Sequence, residues 1–231
     1  MSLELSIGEM QPADVILPLL SLHPNGTFHE FLGTGFFVGA EPRFVTALHN
    51  VEGVGEHFGI VHVNDLQHIY PASVRHSDPE NDIAILEVFD YRPTKRLALS
   101  TGEDVFLNLP VICYEYGTTV TRGRETQLSA ATRVGNITRV IGKLDILGRS
   151  LTKALEVSFP ALRGASGAPI LTDESFMVVG MIVGNMSYHL MPAQIETVTD
   201  AAGKTVEEVK YMLPLAIAVH AESLRKALEA A

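Results

Sequence analysis

Short apolar runs rich in Val, Ile, Phe and Thr recur along this chain, and each ends within a few residues at Gly, Pro, Asn or Asp. That punctuation leaves little room for long helices and favours strands joined by turns. Nineteen glycines and twelve prolines, dispersed rather than clustered, extend the pattern over all 231 residues. An all-β fold is the expectation, with enough chain for one or two cores. There is no repeat of fixed period and no low-complexity segment, which argues against a solenoid or a flexible array.

Phe31 to Val38 reads as a buried strand with a glycine break, and Arg43 to Leu48 as a second that runs into His49. Phe58 to Val63 and Ile69 to Val74 read as a hairpin about the polar pair Asn64-Asp65. The polar loop His76 to Asn81 then leads to Asp82, directly ahead of the aliphatic strand Ile83 to Val88. From Tyr91 to Asp104 the sequence is polar and without period, so it is read as a connection. A boundary near residue 100 divides the chain into 1–100 and 101–231.

Strand-like runs return at Val105 to Tyr116, Gln127 to Ile141, Leu151 to Phe159, Ala168 to Leu171 and Met177 to Val183. Ile195 to Thr199 and Thr205 to Met212 flank Asp200-Ala201-Ala202-Gly203 as a further hairpin. The tail from Leu215 to Ala231 spaces Ile217, Leu224 and Leu228 for one face of an amphipathic terminal helix.

A formal net charge of −10 lacks the basic stripe that a phosphate backbone or an anionic membrane surface would need, which leaves peptides and proteins as partners. The longest apolar stretch, around Phe176 to Val183, falls far short of the roughly 20 residues of a membrane helix. The N-terminus carries an early Glu where an export signal needs Lys or Arg, and Pro18 breaks its apolar run. Cys113 is the single cysteine and lies in the apolar run Val111-Ile112-Cys113, so an intrachain disulfide is impossible and a buried thiol is expected. Together these readings predict a cytoplasmic protein.

The strongest chemical signal is Gly164-Ala165-Ser166-Gly167-Ala168-Pro169. Glycines on both sides of one serine permit a tight turn that exposes the hydroxyl and turns backbone N–H groups inward. A serine hydroxyl is a poor nucleophile at neutral pH unless a base takes its proton as the new bond forms. His49, closing a buried strand, is the candidate base. An imidazole presents the correct nitrogen when the other one donates to a buried carboxylate, and Asp82 occupies a position suited to that task.

Thr46-Ala47-Leu48-His49, Asn81-Asp82-Ile83-Ala84-Ile85-Leu86 and Gly164 to Pro169 resemble the three catalytic blocks of the chymotrypsin/trypsin superfamily, in that family's order. Gly33-Thr34-Gly35-Phe36-Phe37-Val38 ahead of the histidine block and Met177 to Asn185 after the serine block are similar to family strands. The likeness spans roughly residues 30 to 225. Disulfide-free bacterial Deg-type and related intracellular members are the most similar, because Leu213 to Val219 followed by a helix resembles their ending.

The resemblance implies two perpendicular six-stranded β-barrels with the active site between them, His49 and Asp82 from the first and Ser166 from the second. It implies a serine endopeptidase needing no metal or organic cofactor, in which Ser166 attacks the scissile carbonyl and Gly164 and Ser166 supply the oxyanion-hole N–H groups. It puts the floor of the substrate pocket at Pro160, with Ala161, Leu162 and Arg163 beside it and a wall along Ile182, Val183, Gly184 and Asn185. No acid lies at that floor, so a small or medium apolar residue before the cut is expected rather than Lys or Arg. Asn185 is expected to narrow the entrance and Arg163 to meet substrate carboxylates from the rim.

Departures from the family pattern are informative too. Ala165 stands where zymogen-activated relatives carry an aspartate, so activation by clipping the N-terminus is not expected. Asn50 replaces a cysteine beside the histidine, and Ala168 a frequent glycine. The competing reading is a catalytically silent or partner-activated domain of the same fold that binds peptides. A metal site at His57, His62 and His68 is not expected from their spacing, and Cys113 has no adjacent base to make it a nucleophile.

Overall fold

The structure is a computed structural model that describes residues 11–39, 41, 43–55, 57–122, 125–189, 194–200, 203–209 and 212–231. Eighteen strands are described, followed by one helix. The first half holds β1 (Ile16–Leu22), β2 (Phe28–Val38), β3 (Arg43–Ala47), β4 (Phe58–His62), β5 (Asp65–Asp78) and β6 (Ile83–Val88). They close into one antiparallel barrel in the order β1-β2-β3-β6-β5-β4.

The second half contains β7 (Pro110–Glu115), β8 (Val120–Arg122), β9 (Glu125–Gln127), β10 (Ala131–Ile141), β11 (Leu144–Ile146) and β12 (Arg149–Leu151). It continues with β13 (Ala154–Val157), β14 (Pro169–Thr172), β15 (Val178–His189), β16 (Gln194–Asp200), β17 (Gly203–Val209) and β18 (Met212–His220). A second barrel closes as β10-β13-β18-β15-β14-β7, and β8-β9, β11-β12 and β16-β17 are two-stranded hairpins outside it. The expected hairpin about residues 200–203 is thus present, although its turn residues 201 and 202 lie outside the described residues, as do the first ten. This is the chymotrypsin-like all-β fold that the resemblance implied.

Continuous apolar runs such as Ile83 to Leu86 follow from two-sided burial. Phe37, Phe44, Ala84 and Leu86 point into the first barrel, whereas their chain neighbours Phe36, Val45, Ile83 and Ile85 pack in a separate cluster. That cluster is a seam between the barrels, because it also takes in Tyr116, Leu151, Met181, Ile217 and Val219 from the second half. The second barrel alternates in the same way, with Ala216 and Ala218 in its interior. Cys113 sits there too, buried as expected, and burial pushes its thiol far above the usual range.

The tail differs from the sequence expectation. Leu215, Ile217 and Val219 belong to β18, which fills the gap between β13 and β15, and α1 covers only Ala221–Ala230. Burial of every residue from Ala216 to His220 outweighs the helix propensity of the alanines. The segment between the barrels has no regular strand. It bridges Val38 of β2 at Leu97 and Val178 of β15 at Leu99. Among the described residues no helix is long and apolar enough to cross a membrane.

Candidate active site

His49 does not end a strand, as the sequence reading had it, but sits in a one-turn 3-10 helix, Leu48–Asn50, directly after β3. Asp82 directly precedes β6, and β3 pairs with β6 so that Ala47 lies opposite Ile83. That ladder brings His49 and Asp82, 33 residues apart in sequence, side by side. The carbonyl of Asp82 accepts from Leu48 N at 2.9 Å and its Oδ1 from His49 N at 3.0 Å. Its Oδ2 lies 2.6 Å from His49 Nδ1. A carboxylate only accepts, so Nδ1 carries the proton in this contact.

Asp82 is 2% exposed and holds a left-handed φ of +56°. A guanidinium approaches it from the second half of the chain: Arg149 Nε, at the start of β12, is 3.7 Å from Oδ1. The same guanidinium pairs with Glu52 and donates to Pro79 O at 3.3 Å. The β11-β12 hairpin therefore clamps the histidine turn and the aspartate loop from across the seam.

Ser166 lies in the turn ahead of β14. Gly164 and Gly167, at φ of +96° and +85°, take conformations that side chains disfavour. At Gly167 a Cβ would come within 2.0 Å of Thr34 O and 2.4 Å of Thr46 Oγ1, so glycine is required there by space as well. Ser166 O accepts from Thr34 N at 3.0 Å and from Asn50 Nδ2 at 2.9 Å. Asn50, known from sequence only as a replacement for cysteine, is thus a tie from the histidine turn to the serine turn. The sequence reading did not find Thr34, Thr46, Asn50 or Arg149 in these roles.

His49, Ser166, Gly164 and Arg163 line one cleft of about 690 Å³, together with Glu30, Phe31 and Thr119. His49 and Ser166 are not hydrogen bonded to each other, although both open onto that space. Catalytic hydrogen bonds commonly tighten only when substrate arrives. Among the described residues, neither Gly164 N nor Ser166 N donates to another protein group.

Of the other residues expected to form a substrate pocket, which do not line that cleft, Pro160 and Leu162 are exposed, Ala161 and Gly184 half-buried, and Ile182 and Val183 buried with their side chains in core clusters. Asn185 bridges to the floor segment: its Oδ1 accepts from Ala161 N at 2.8 Å and its Nδ2 donates to Ala161 O at 2.7 Å. Leu147, at the tip of the β11-β12 hairpin, packs against Gly184. Among the described residues no group of three or more His, Cys, Asp or Glu side chains is placed to hold a metal ion. His62 instead approaches Asp14 at 4.0 Å, and His68 pairs with Asp65 at 3.6 Å.

The sequence model of the trypsin-like peptidase domain matches residues 33–181, and the chain belongs to that family. Comparison with curated proteins finds no match. Among solved structures, the Rv3671c protease from M. tuberculosis in its active form is similar at a TM-score of 0.63 and 20% identity, covering 94% of this chain and 80% of that one. The protease domain of MamO from Magnetospirillum magneticum follows at 0.62 and 16%, covering 93% and 95%. The HtrA-type protease AlgW with a decapeptide reaches 0.64 at 14%, with 94% of this chain matched to 63% of AlgW.

Proposed function

We propose that this chain is a serine endopeptidase that cleaves peptides or proteins through an acyl-enzyme on Ser166. His49 Nε2 takes the hydroxyl proton while Oγ bonds to the scissile carbonyl carbon, and the carbonyl electron pair moves onto oxygen. Gly164 N and Ser166 N receive that oxyanion. Collapse of the tetrahedral species expels the amine, which leaves with the proton returned by His49, and water then releases the acyl group by the same steps. Asp82 holds the imidazole and stabilises its charged form. The observation that carries this reading is the 2.6 Å contact of His49 Nδ1 with a buried carboxylate, at a cleft that also receives Ser166.

A fluorophosphonate probe tests it. Wild type should be labelled with loss of fluoride and Ser166→Ala should not; absence of labelling in wild type under every condition would remove the proposal. The preference for a small or medium apolar residue rests on the absence of an acid at Pro160 and on the Asn185 amide, which crosses to both backbone groups of Ala161. Dominant cleavage after Lys or Arg in a peptide library would contradict it. The open His49–Ser166 pair favours a second reading, a latent site closed by a bound peptide, which predicts labelling only when that peptide is present. The division near residue 100 rests on the bridges at Leu97 and Leu99, one to each barrel.

A further inference from the structure

We propose that Thr34 is a positioning residue that holds the oxyanion-hole loop in place, a role that rests on the peptidase reading above. Thr34 is completely buried at the seam, in β2 of the first barrel. Its hydroxyl donates to Gly164 O at 2.8 Å and accepts from Tyr116 N at 3.2 Å. Its own N–H donates to Ser166 O at 3.0 Å, and its carbonyl accepts from Thr46 Oγ1 at 2.7 Å. One residue therefore grips the carbonyls on both sides of Ala165. Each carbonyl belongs to the same residue as one of the two proposed oxyanion donors and is separated from it only by that residue's φ and ψ, so pinning the carbonyl narrows the directions the N–H can take.

The need for such a strut follows from Ala165. This residue is 2% exposed and has no carboxylate to anchor the loop by an ion pair. Beyond its own turn bonds, Ala165 N to Leu162 O and Ala168 N to Ala165 O, the loop is tied at its far end by Asn50 to Ser166 O and by Gly167 N to Ile182 O. Among the described residues Gly164 O is held by Thr34 alone, and without that bond the Gly164 end would keep much of its freedom. Thr34 ties it to two stiff supports. On one side stands β2, on the other Tyr116, a fully buried ring in the seam whose hydroxyl donates to Ile16 O at 3.1 Å. Just beyond Tyr116 the turn is fastened by buried Glu115, which accepts from Gly117 N and pairs with Arg133 at 3.0 Å. Gly117 lies against Leu162 and Ala165, where a Cβ would meet Leu162 Cβ at 2.9 Å. Threonine supplies the donor and the acceptor together, which valine and alanine cannot.

The test compares Thr34→Val, Thr34→Ala and Thr34→Ser with wild type on a cleaved peptide, alongside binding of a peptide boronate and hydrogen exchange of the loop amides at 160–170. The valine variant should lose on the order of 10- to 100-fold in kcat with KM little changed, since a small misplacement of reacting groups acts on the transition state. Boronate affinity should fall in parallel, loop exchange should quicken, and serine should restore all three. Should the valine variant fail to fold, the alanine and serine variants, which differ by one hydroxyl, decide the matter. Equal kcat and equal exchange in those two overturn the proposal. If wild type proves inactive, the peptidase reading fails on that result, whereas the exchange comparison still shows whether the hydroxyl orders the loop.

Discussion

Asp82 accepts a left-handed backbone that costs a side-chain-bearing residue about 1 kcal/mol, and the conformation aims its carboxylate at both the backbone and the ring of His49. Asp82→Asn keeps the shape but donates where the carboxylate accepted, favouring the wrong imidazole tautomer. It should lower kcat by roughly 10⁴ with little loss of stability, measured by single-turnover kinetics and urea unfolding. Gly167→Ala should do the opposite, unfolding the serine turn at a cost of at least about 2 kcal/mol because no space exists for its methyl. The positions of His49, Asp82 and Ser166 were legible because each sits in a short distinctive block. Thr34 and Asn50 were not, since their partners lie 130 and 116 residues away and an ordinary polar side chain carries no mark of a distant carbonyl.

The last strand and the helix meet at His220, whose Nδ1 accepts from Glu222 N and so caps α1. Burial first, and the nearby charge of Lys153 second, lower this imidazole from 6.5 to about 4. Between those two values the unfolded chain binds a proton that the folded chain refuses. The stability is whole above pH 6.5 and drains away as pH falls toward 4, by on the order of 3 kcal/mol. Urea titrations across that window should show the slope in wild type and lose it in His220→Asn, which can still cap. At the β11-β12 hairpin, Arg149→Ala should cost about 1–3 kcal/mol by releasing Glu52, Pro79 and the approach to Asp82 together. The sequence pattern shows no strand between Ile141 and Leu151, where this hairpin lies, because three-residue strands have too few alternations to show a period.

The two barrels share a seam of buried side chains to which Leu224 and Ala227 of the helix also contribute. Neither barrel can shed that surface without exposing the other's, so heating should give one calorimetric transition rather than two. Leu224→Ala should lower stability by about 2–4 kcal/mol and move that single transition as a whole; separation into two peaks in wild type would show the barrels to be independent. Polar ties reinforce the seam, as where Asn81 Oδ1 accepts from Thr152 N at 2.9 Å and Thr152 hydroxyl lies 3.0 Å from Ser223 Oγ. Strand-forming runs, their turns, and the identity of the serine, histidine and aspartate blocks were determined by the sequence alone, because each depends on residues within a few positions of one another. Tertiary structure decided where β18 ends and α1 begins, which faces of doubly apolar strands turn toward the seam, and which threonine and arginine brace the site. Those outcomes rest on burial and hydrogen bonds between segments far apart in the sequence, as where Thr34 meets Gly164 130 residues on, and no local periodicity encodes them.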